Sequence, residues 1–494
     1  MNLGTEPPDL DPAKITDLTS YTVIQQLLKG LTQFDEKLNV APAMAERWTV
    51  SPDGLHYTFY LKRNAVWSDG QPVTTKNFTD AWRRALDPNL AAEYAFFLFE
   101  LKNAKPYFEG KLTNFAEVGV HAVDDHTLTV TLERPTPFFL ALLANPIALP
   151  VRQDLIDQFG DRWVEAGHMV SNGAYLLKQW RHEEKITLVP NPRSGLTPPA
   201  VDRVDMLMVN DANTSVVMYE NNELDFIETT TSIPSFDVRR LRKNPDAHVL
   251  NIHRLNYFGF NTQKPPMDNL KVRQAFAHAL DRSYFPRLMQ SGQTPIASWI
   301  TPGLVGYNPN VGLPYDPKKA QQLLAEAGYP GGKGFPEVEL GYPTHYDIQK
   351  ECEIAQFLWK HNLHVPVRLA NMEWKVYLSR LNQDAPQLYR LGWFVDYPDA
   401  DSFMSLFTKD NGNNHTGWSS PVYDALIQKA VVETNPAVRQ KLYDEAQRIL
   451  LEKDTAIIPM VMVQKTYLAK PRVHGLVVTP MNLINLDHLS IGRR

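Results

Sequence analysis

The sequence predicts an α/β fold divided into more than one domain, on three observations. Its 494 residues exceed what one hydrophobic core accommodates, since single cores stop growing at about 250–300 residues. Runs with strand-like alternation are interleaved with stretches of helical apolar spacing from end to end. Thirty-seven prolines and 11% aromatic residues are spread without a low-complexity tract, a long charge run or a repeat of roughly 20–50 residues, which describes a compact chain with many ordered turns.

The opening Gly4-Thr5-Glu6-Pro7-Pro8-Asp9-Leu10-Asp11-Pro12 is a turn-rich passage, followed by Val23, Leu27, Leu28 and Leu31 at helical spacing. Ser51-Pro52-Asp53-Gly54 is a turn leading into the alternating strand Leu55 to Leu61, and Phe78, Ala81, Trp82 and Leu86 mark a helix. Trp48, Phe59 and Trp82 are read as core. Val120 to Leu132 is a hairpin turning at Asp124-Asp125-His126, and Phe138 to Leu143 a buried helix. Another hairpin runs from Leu176 to Trp180 and from Lys185 to Val189, with Asn172-Gly173 before it expected to supply a positive-φ turn. Val204 to Val209, Asn213 to Glu220 and Leu224 to Phe226 read as a βαβ unit in a parallel or mixed sheet.

Near Leu255 the chain is expected to cross into a second lobe. Val272, Phe276, Ala279 and Leu280 share one face of a helix. Asp316-Pro317 starts a helix that Gly328 and Pro330 end, and Ser420-Pro421 and Asn435-Pro436 start two more. Val438, Leu442, Ala446 and Ile449 are expected to form the buried stripe of the last. Ile457 to Val463 reads as a buried strand returning to the first lobe.

Composition narrows the function. A net charge of −5 lacks the basic balance of a nucleic-acid binder. One cysteine, Cys352, permits neither an intramolecular disulfide nor a Cys-rich zinc site. No apolar run reaches about 18 residues, as a membrane-spanning helix requires. His182-Glu183-Glu184 is not a His-Glu-x-x-His zinc helix, Gly331-Gly332-Lys333-Gly334 lacks P-loop spacing, and no Gly-x-Ser-x-Gly elbow occurs. His361 and His364 have helical spacing but fall at an expected helix C-terminus, which favours cations, so they read as end residues rather than a metal pair. No cofactor is expected.

The densest chemistry lies between Arg390 and Phe403, which holds a cation, a glycine, several aromatics and the acids Asp396, Asp399 and Asp401. Period-2 geometry puts Arg390, Gly392, Phe394 and Asp396 on one strand face, positive at one end and negative at the other. A peptide zwitterion has the opposite polarity. On the residues alone, Asp396 is either a ligand-facing acid or a turn cap before Tyr397-Pro398, and Arg390 either a ligand-facing cation or half of a structural ion pair.

The run Arg390-Leu391-Gly392-Trp393-Phe394-Val395-Asp396-Tyr397 resembles the Arg-x-Gly-Trp-x-x-Asp-Tyr segment of the oligopeptide-binding proteins of bacterial ABC importers, in extracytoplasmic solute-binding protein family 5. Trp67-Ser68-Asp69-Gly70-Gln71-Pro72-Val73-Thr74, Ser171-Asn172-Gly173-Ala174-Tyr175 and Asn269 to Arg282 resemble that family too, in the right order over nearly the whole chain. The resemblance implies a two-lobed periplasmic-binding-protein fold with a smaller subdomain: lobe I in 1–29, 154–254 and 465–494, the subdomain in 30–153, and lobe II in 255–464. The crossings between lobes imply a hinged cleft closing over an extended peptide.

By the same resemblance Asp396 holds the peptide's α-amino group, and Arg390 helps hold a ligand carboxylate. Gly392, Trp393 and Phe394 form the edge that pairs with peptide backbone, and Tyr94 and Trp374 line side-chain pockets. The implied partners are an oligopeptide and a membrane-embedded ABC permease, with no nucleic acid, and the protein is expected to be a monomer. Met1 to Glu6 has no charged-then-apolar leader, which by itself reads as cytoplasmic. With the resemblance it reads as a mature domain with an added methionine, its signal peptide removed, periplasmic or anchored at the cell surface.

The chain departs from the family's pattern at Thr16 and Leu381, where the oligopeptide binders pair a glutamate and an arginine, with Asp17 and Arg380 nearby as substitutes. A ligand-binding histidine is replaced by Ile348, with His345 nearby. A murein-peptide, nickel or haem carrier of the same family is the alternative, and a peptidase or other hydrolase the alternative of another class.

Overall fold

The computed structural model describes residues 1–492 apart from 196–197, 230–231, 291 and 410. It divides into two compact units, Met1–Leu250 with Thr466–Arg494, and Asn251–Lys465.

In the first unit, helix α1 (Leu18–Leu27) is capped by Asp17, whose side chain accepts from Ser20 N–H, and buries Val23, Ile24 and Leu27. Strands β1 (Ala45–Val50) and β2 (His56–Leu61) precede helix α2 (Thr75–Ala85), and β3 (Val120–Asp124) and β4 (Thr127–Thr131) follow it. Among the described residues these strands pair only with one another, antiparallel, in the order β1-β2-β4-β3. Phe59, Leu128 and Val130 point inward from it, and Phe78 and Trp82 of α2 are fully buried.

Strands β5 (Tyr175–Arg181), β6 (Lys185–Pro190) and β7 (Val204–Leu207) form an antiparallel sheet. Gly173 does not supply a positive-φ turn; the hairpin's positive φ falls on Glu183. Glycine is required at 173 because a Cβ there would come 2.7 Å from the Gln26 carbonyl oxygen, against the end of α1. Nor do residues 204–226 make a βαβ unit. Helix α3 (Ala212–Glu220) leads to β8 (Phe226–Glu228), which pairs antiparallel with Phe226↔Ala469 register in a different sheet from β7. Each strand is only three or four residues long, so pairing partners elsewhere decide which sheet it joins.

Strand β9 (Ala247–Phe260) carries the chain into the second unit, whose further elements are α4 (Leu270–His278), β10 (Gln293–Pro295), α5 (Pro317–Glu326), β11 (Val338–Pro343), α6 (Tyr346–Leu363), β12 (Val367–Met372), α7 (Trp374–Asp384), β13 (Leu388–Phe394), α8 (Pro421–Val432), α9 (Pro436–Arg448) and β14 (Ile457–Ala469). Its sheet runs β14-β9-β13-β11-β12, with β10 on β14. Here a true βαβ unit exists, since β11 and β12 are adjacent, parallel and joined by α6.

Asp316, Ser420 and Asn435 cap α5, α8 and α9 with a proline at the first turn of each. Phe276 of α4, Leu324 of α5 and Leu358 and Trp359 of α6 pack with Phe258 and Leu340 into one core. The buried stripe of α9 is shifted from the apolar positions: Val438 is exposed, while Arg439, Tyr443, Ala446 and Gln447 are buried. Arg439 and Gln447 go inward because each finds partners there, Arg439 at Ala430 O and Asp399, and Gln447 at Ser298, Trp299 N–H and Gly306 O.

Candidate functional site

Strand β13 carries four of the seven candidate residues, Arg390, Gly392, Trp393 and Phe394, and Asp396 follows just beyond its end. Its register against β9 is antiparallel throughout, Arg254↔Phe394, Asn256↔Gly392 and Phe258↔Arg390. On its other side β11 pairs only with Leu388 and Tyr389. Val395 N–H donates to His253 O at 3.1 Å, and in an antiparallel ladder the hydrogen-bonding groups alternate in direction. Trp393 and Leu391 therefore turn their backbone groups to β9. Gly392 and Phe394 turn theirs to the opposite edge, which no strand among the described residues occupies beyond Tyr389. Tyr377 of α7 closes that edge at its start, its hydroxyl donating to Arg390 O at 2.9 Å.

Glycine is needed at 392 because a Cβ would approach Asn256 Oδ1 to 2.7 Å and Leu255 O to 3.3 Å. Asn256 is held in place by donating from Nδ2 to Glu351 Oε1 at 3.1 Å. Glu351, on the buried face of α6, also accepts from Gln293 Nε2 at 2.7 Å and from Arg390 Nε at 2.7 Å, with Arg390 Nη2 on the same carboxylate oxygen. Arg390 is 4% exposed and Glu351 1%, so their charges neutralise each other inside the protein.

Beyond the strand the chain turns sharply. Ser402 ties the turn down, its hydroxyl accepting from Asp396 N–H at 3.0 Å and its carbonyl from Trp393 Nε1 at 2.7 Å. Arg439 holds Asp399 through Nη1 at 2.5 Å and Nη2 at 2.7 Å, and Asp401 accepts from the Tyr397 hydroxyl at 2.7 Å. Of the three acids in the segment, Asp396 alone keeps its carboxylate uncommitted: among the described residues it meets no cation and no donor. It is half-buried, and burial pushes its carboxyl up to about 6.

Trp374 opens α7, exposed, with its ring 6.2 Å from that of Tyr377. Tyr94 belongs to the first unit, where its ring meets Phe96 and Phe97 edge-on and its hydroxyl reaches Thr16 O at 3.4 Å. The two substitute charges are engaged elsewhere, since Asp17 caps α1 and Arg380 pairs with Asp384 at 2.6 Å. His345 caps α6, accepting from Asp347 N–H, and His364 ends it in a left-handed conformation.

Three residues of this network were not singled out from the sequence: Arg254, Asn256 and Glu351. Arg254 and Asn256 are polar at i, i+2 inside the apolar run Ile252 to Phe260, and Glu351 interrupts the apolar stripe Ala355-Leu358-Trp359 of α6. A polar group on a buried face is the available signal.

The family model described as bacterial extracellular solute-binding proteins, family 5 Middle, matches residues 39–415. The periplasmic oligopeptide-binding protein OppA of Escherichia coli (strain K12) is 34% identical over 487 residues, covering 96% of this chain and 88% of that protein. The solved structure of Haemophilus influenzae OppA in complex with RPPGFSPFR matches with a TM-score of 0.79 at 31% identity, covering 100% of this chain and 98% of that one. The structure of the Escherichia coli murein tripeptide binding protein MppA matches with a TM-score of 0.81 at 30% identity, covering 99% and 97%.

Proposed function

The chain belongs to family 5 of the bacterial extracellular solute-binding proteins and has their two-lobed α/β fold, and from that membership we propose that it is the peptide-binding receptor of an ABC importer. It captures extended oligopeptides outside the cytoplasmic membrane, as a periplasmic or surface-anchored protein, and hands them to a membrane permease without chemical change. Asp396 carries this reading: a half-buried carboxylate with no partner among the described residues, beyond the end of an open strand edge, suits the α-ammonium of a peptide.

The edge offers the backbone groups of Gly392 and Phe394, which every peptide can meet whatever its side chains. Trp393, fixed by Ser402, holds that edge in place, and Trp374 offers an exposed aromatic surface on the same unit. Arg390 enters the site through its pair with Glu351, which supports Asn256 beneath Gly392.

Calorimetric titration with peptides of two to five residues tests the reading. Free-amine peptides bind and are recovered intact by mass spectrometry. N-acetylation, or Asp396→Asn, removes a charge-assisted hydrogen bond of about 1.5–3 kcal/mol, weakening binding about 10- to 150-fold. Equal affinity for acetylated and free peptides would overturn the role of Asp396.

A further inference from the structure

Arg390 is not the cation on this strand face that remains available. Its guanidinium is buried against Glu351, whose carboxylate is already shared with Asn256 and Gln293. Arg254 lies on the neighbouring strand, in register with Phe394 and therefore on the face that carries Gly392. Arg254 and Phe394 form a non-hydrogen-bonded pair, the kind whose side chains approach most closely, with Cα atoms about 4.5 Å apart. The guanidinium leans over the glycine, because a Cβ built on Gly392 would sit 3.6 Å from Arg254 Nε.

Arg254 is half-buried, and among the described residues it has no hydrogen bond, ion pair or aromatic partner. Its fork of five donors borders solvent on a half-buried side chain, and among the described residues no protein acceptor takes any of them, so they are free to meet acceptors that a ligand supplies. The carboxylate that acts on it, Glu351, is already occupied by Asn256, Gln293 and Arg390, and the cation Arg390 repels. Burial, with Arg390 next, lowers the guanidinium to about 10.

We propose that Arg254 is the anion-binding residue of the site and takes a ligand carboxylate over Gly392. Resting on the reading of this strand edge as a peptide site, it assigns to Arg254 the role that Arg390, neutralised by Glu351, does not fill. Among the described residues Asp396 and Arg254 are then uncommitted charges of one surface, negative beyond the end of β13 and positive beside it, and a ligand with an ammonium and a carboxylate satisfies both. A planar guanidinium matches a carboxylate in bidentate fashion. The carboxylate is the ligand's C-terminus or an acidic side chain.

The test is calorimetric titration of the full chain and of Arg254→Gln, Arg254→Lys and Asp396→Asn with three probes of the length the wild type prefers: an alanine peptide, its C-terminal amide, and the amide with one internal glutamate. The wild type is expected to bind the free-acid peptide at least tenfold more tightly than the plain amide. Recovery of affinity by the glutamate-bearing amide identifies a side-chain carboxylate, and its failure to recover identifies the C-terminus. In Arg254→Gln the discrimination between probes disappears, and Arg254→Lys keeps part of it, so lost folding is separated from lost recognition. If Arg254→Gln and Arg254→Lys both bind all probes as the wild type does while Asp396→Asn does not, the role of Arg254 is overturned and the peptide reading stands. A wild type that binds none of the peptides overturns both.

Discussion

Arg439 grips Asp399 with both terminal nitrogens, at 2.5 and 2.7 Å, and adds a hydrogen bond to the Tyr443 hydroxyl at 3.0 Å. This clamp comes from α9, 40 residues along the chain, and fixes the turn that presents Asp396. Asp396, uncommitted among the described residues, is therefore held by the engagement of its neighbours.

Breaking the clamp should cost both stability and binding. Arg439→Met leaves Asp399 charged in a largely buried position, an arrangement that costs about 3–5 kcal/mol. Urea denaturation would show the lowered midpoint, and calorimetry at a temperature where the variant is folded would show weaker peptide binding.

Peptide affinity should depend on pH through Asp396. Its carboxyl in the free protein is raised to about 6, so below that pH an incoming ammonium must first displace a proton. Affinity is highest above pH 6 and falls about tenfold between pH 7 and pH 5. The stability of the unliganded chain moves the other way. A raised carboxyl binds its proton more tightly folded than unfolded, so this group's contribution improves as pH falls from above 6 toward 4 and is lost as pH rises through 6. Titrations at pH 5, 6 and 7 check the first statement, and the Asp396→Asn variant should flatten the profile.

Gly392→Ala should perturb the site without disturbing the core. The new methyl meets Asn256 Oδ1 at 2.7 Å, so the amide must move and loosen its bond to Glu351. A loss of about 1–3 kcal/mol in chemical denaturation is expected, as for overpacking elsewhere, with reduced peptide affinity.

Glu351→Leu should be worse than the double change Glu351→Leu with Arg390→Met. The single substitution strands a buried guanidinium at about 3–5 kcal/mol, whereas removing both charges leaves an apolar pair of similar volume. A double-mutant cycle in urea gives the coupling directly, and additive effects would contradict the buried pair.

Much of the architecture was legible because it is written locally. Asp316, Ser420 and Asn435 announce their helices by cap and proline, and the alternation of Leu55 to Leu61 and Val120 to Leu132 announces strands that the structure contains. Partner choice was not local. Val204 to Val209 and Leu224 to Phe226 read as strands of one βαβ unit, but the strands that form there, Val204–Leu207 and Phe226–Glu228, join different sheets, one through β6 and the other through β14. On α9, hydropathy pointed to Val438, whereas Arg439 is buried by virtue of Asp399.

The sequence alone determined which chemistry this protein has available: the Arg390-to-Asp396 run, its glycine, its aromatics and its acids are contiguous and belong to a recognisable family segment. Only the tertiary structure decided which of those charges are spent. Asp399 and Asp401 are consumed by Arg439 and Tyr397, and Arg390 by Glu351, while among the described residues Asp396, and Arg254 from the neighbouring strand, are left over. The reason is physical: a charge's availability depends on whether a partner arrives from elsewhere in the fold, and linear spacing carries no record of residues 39 or 40 positions away.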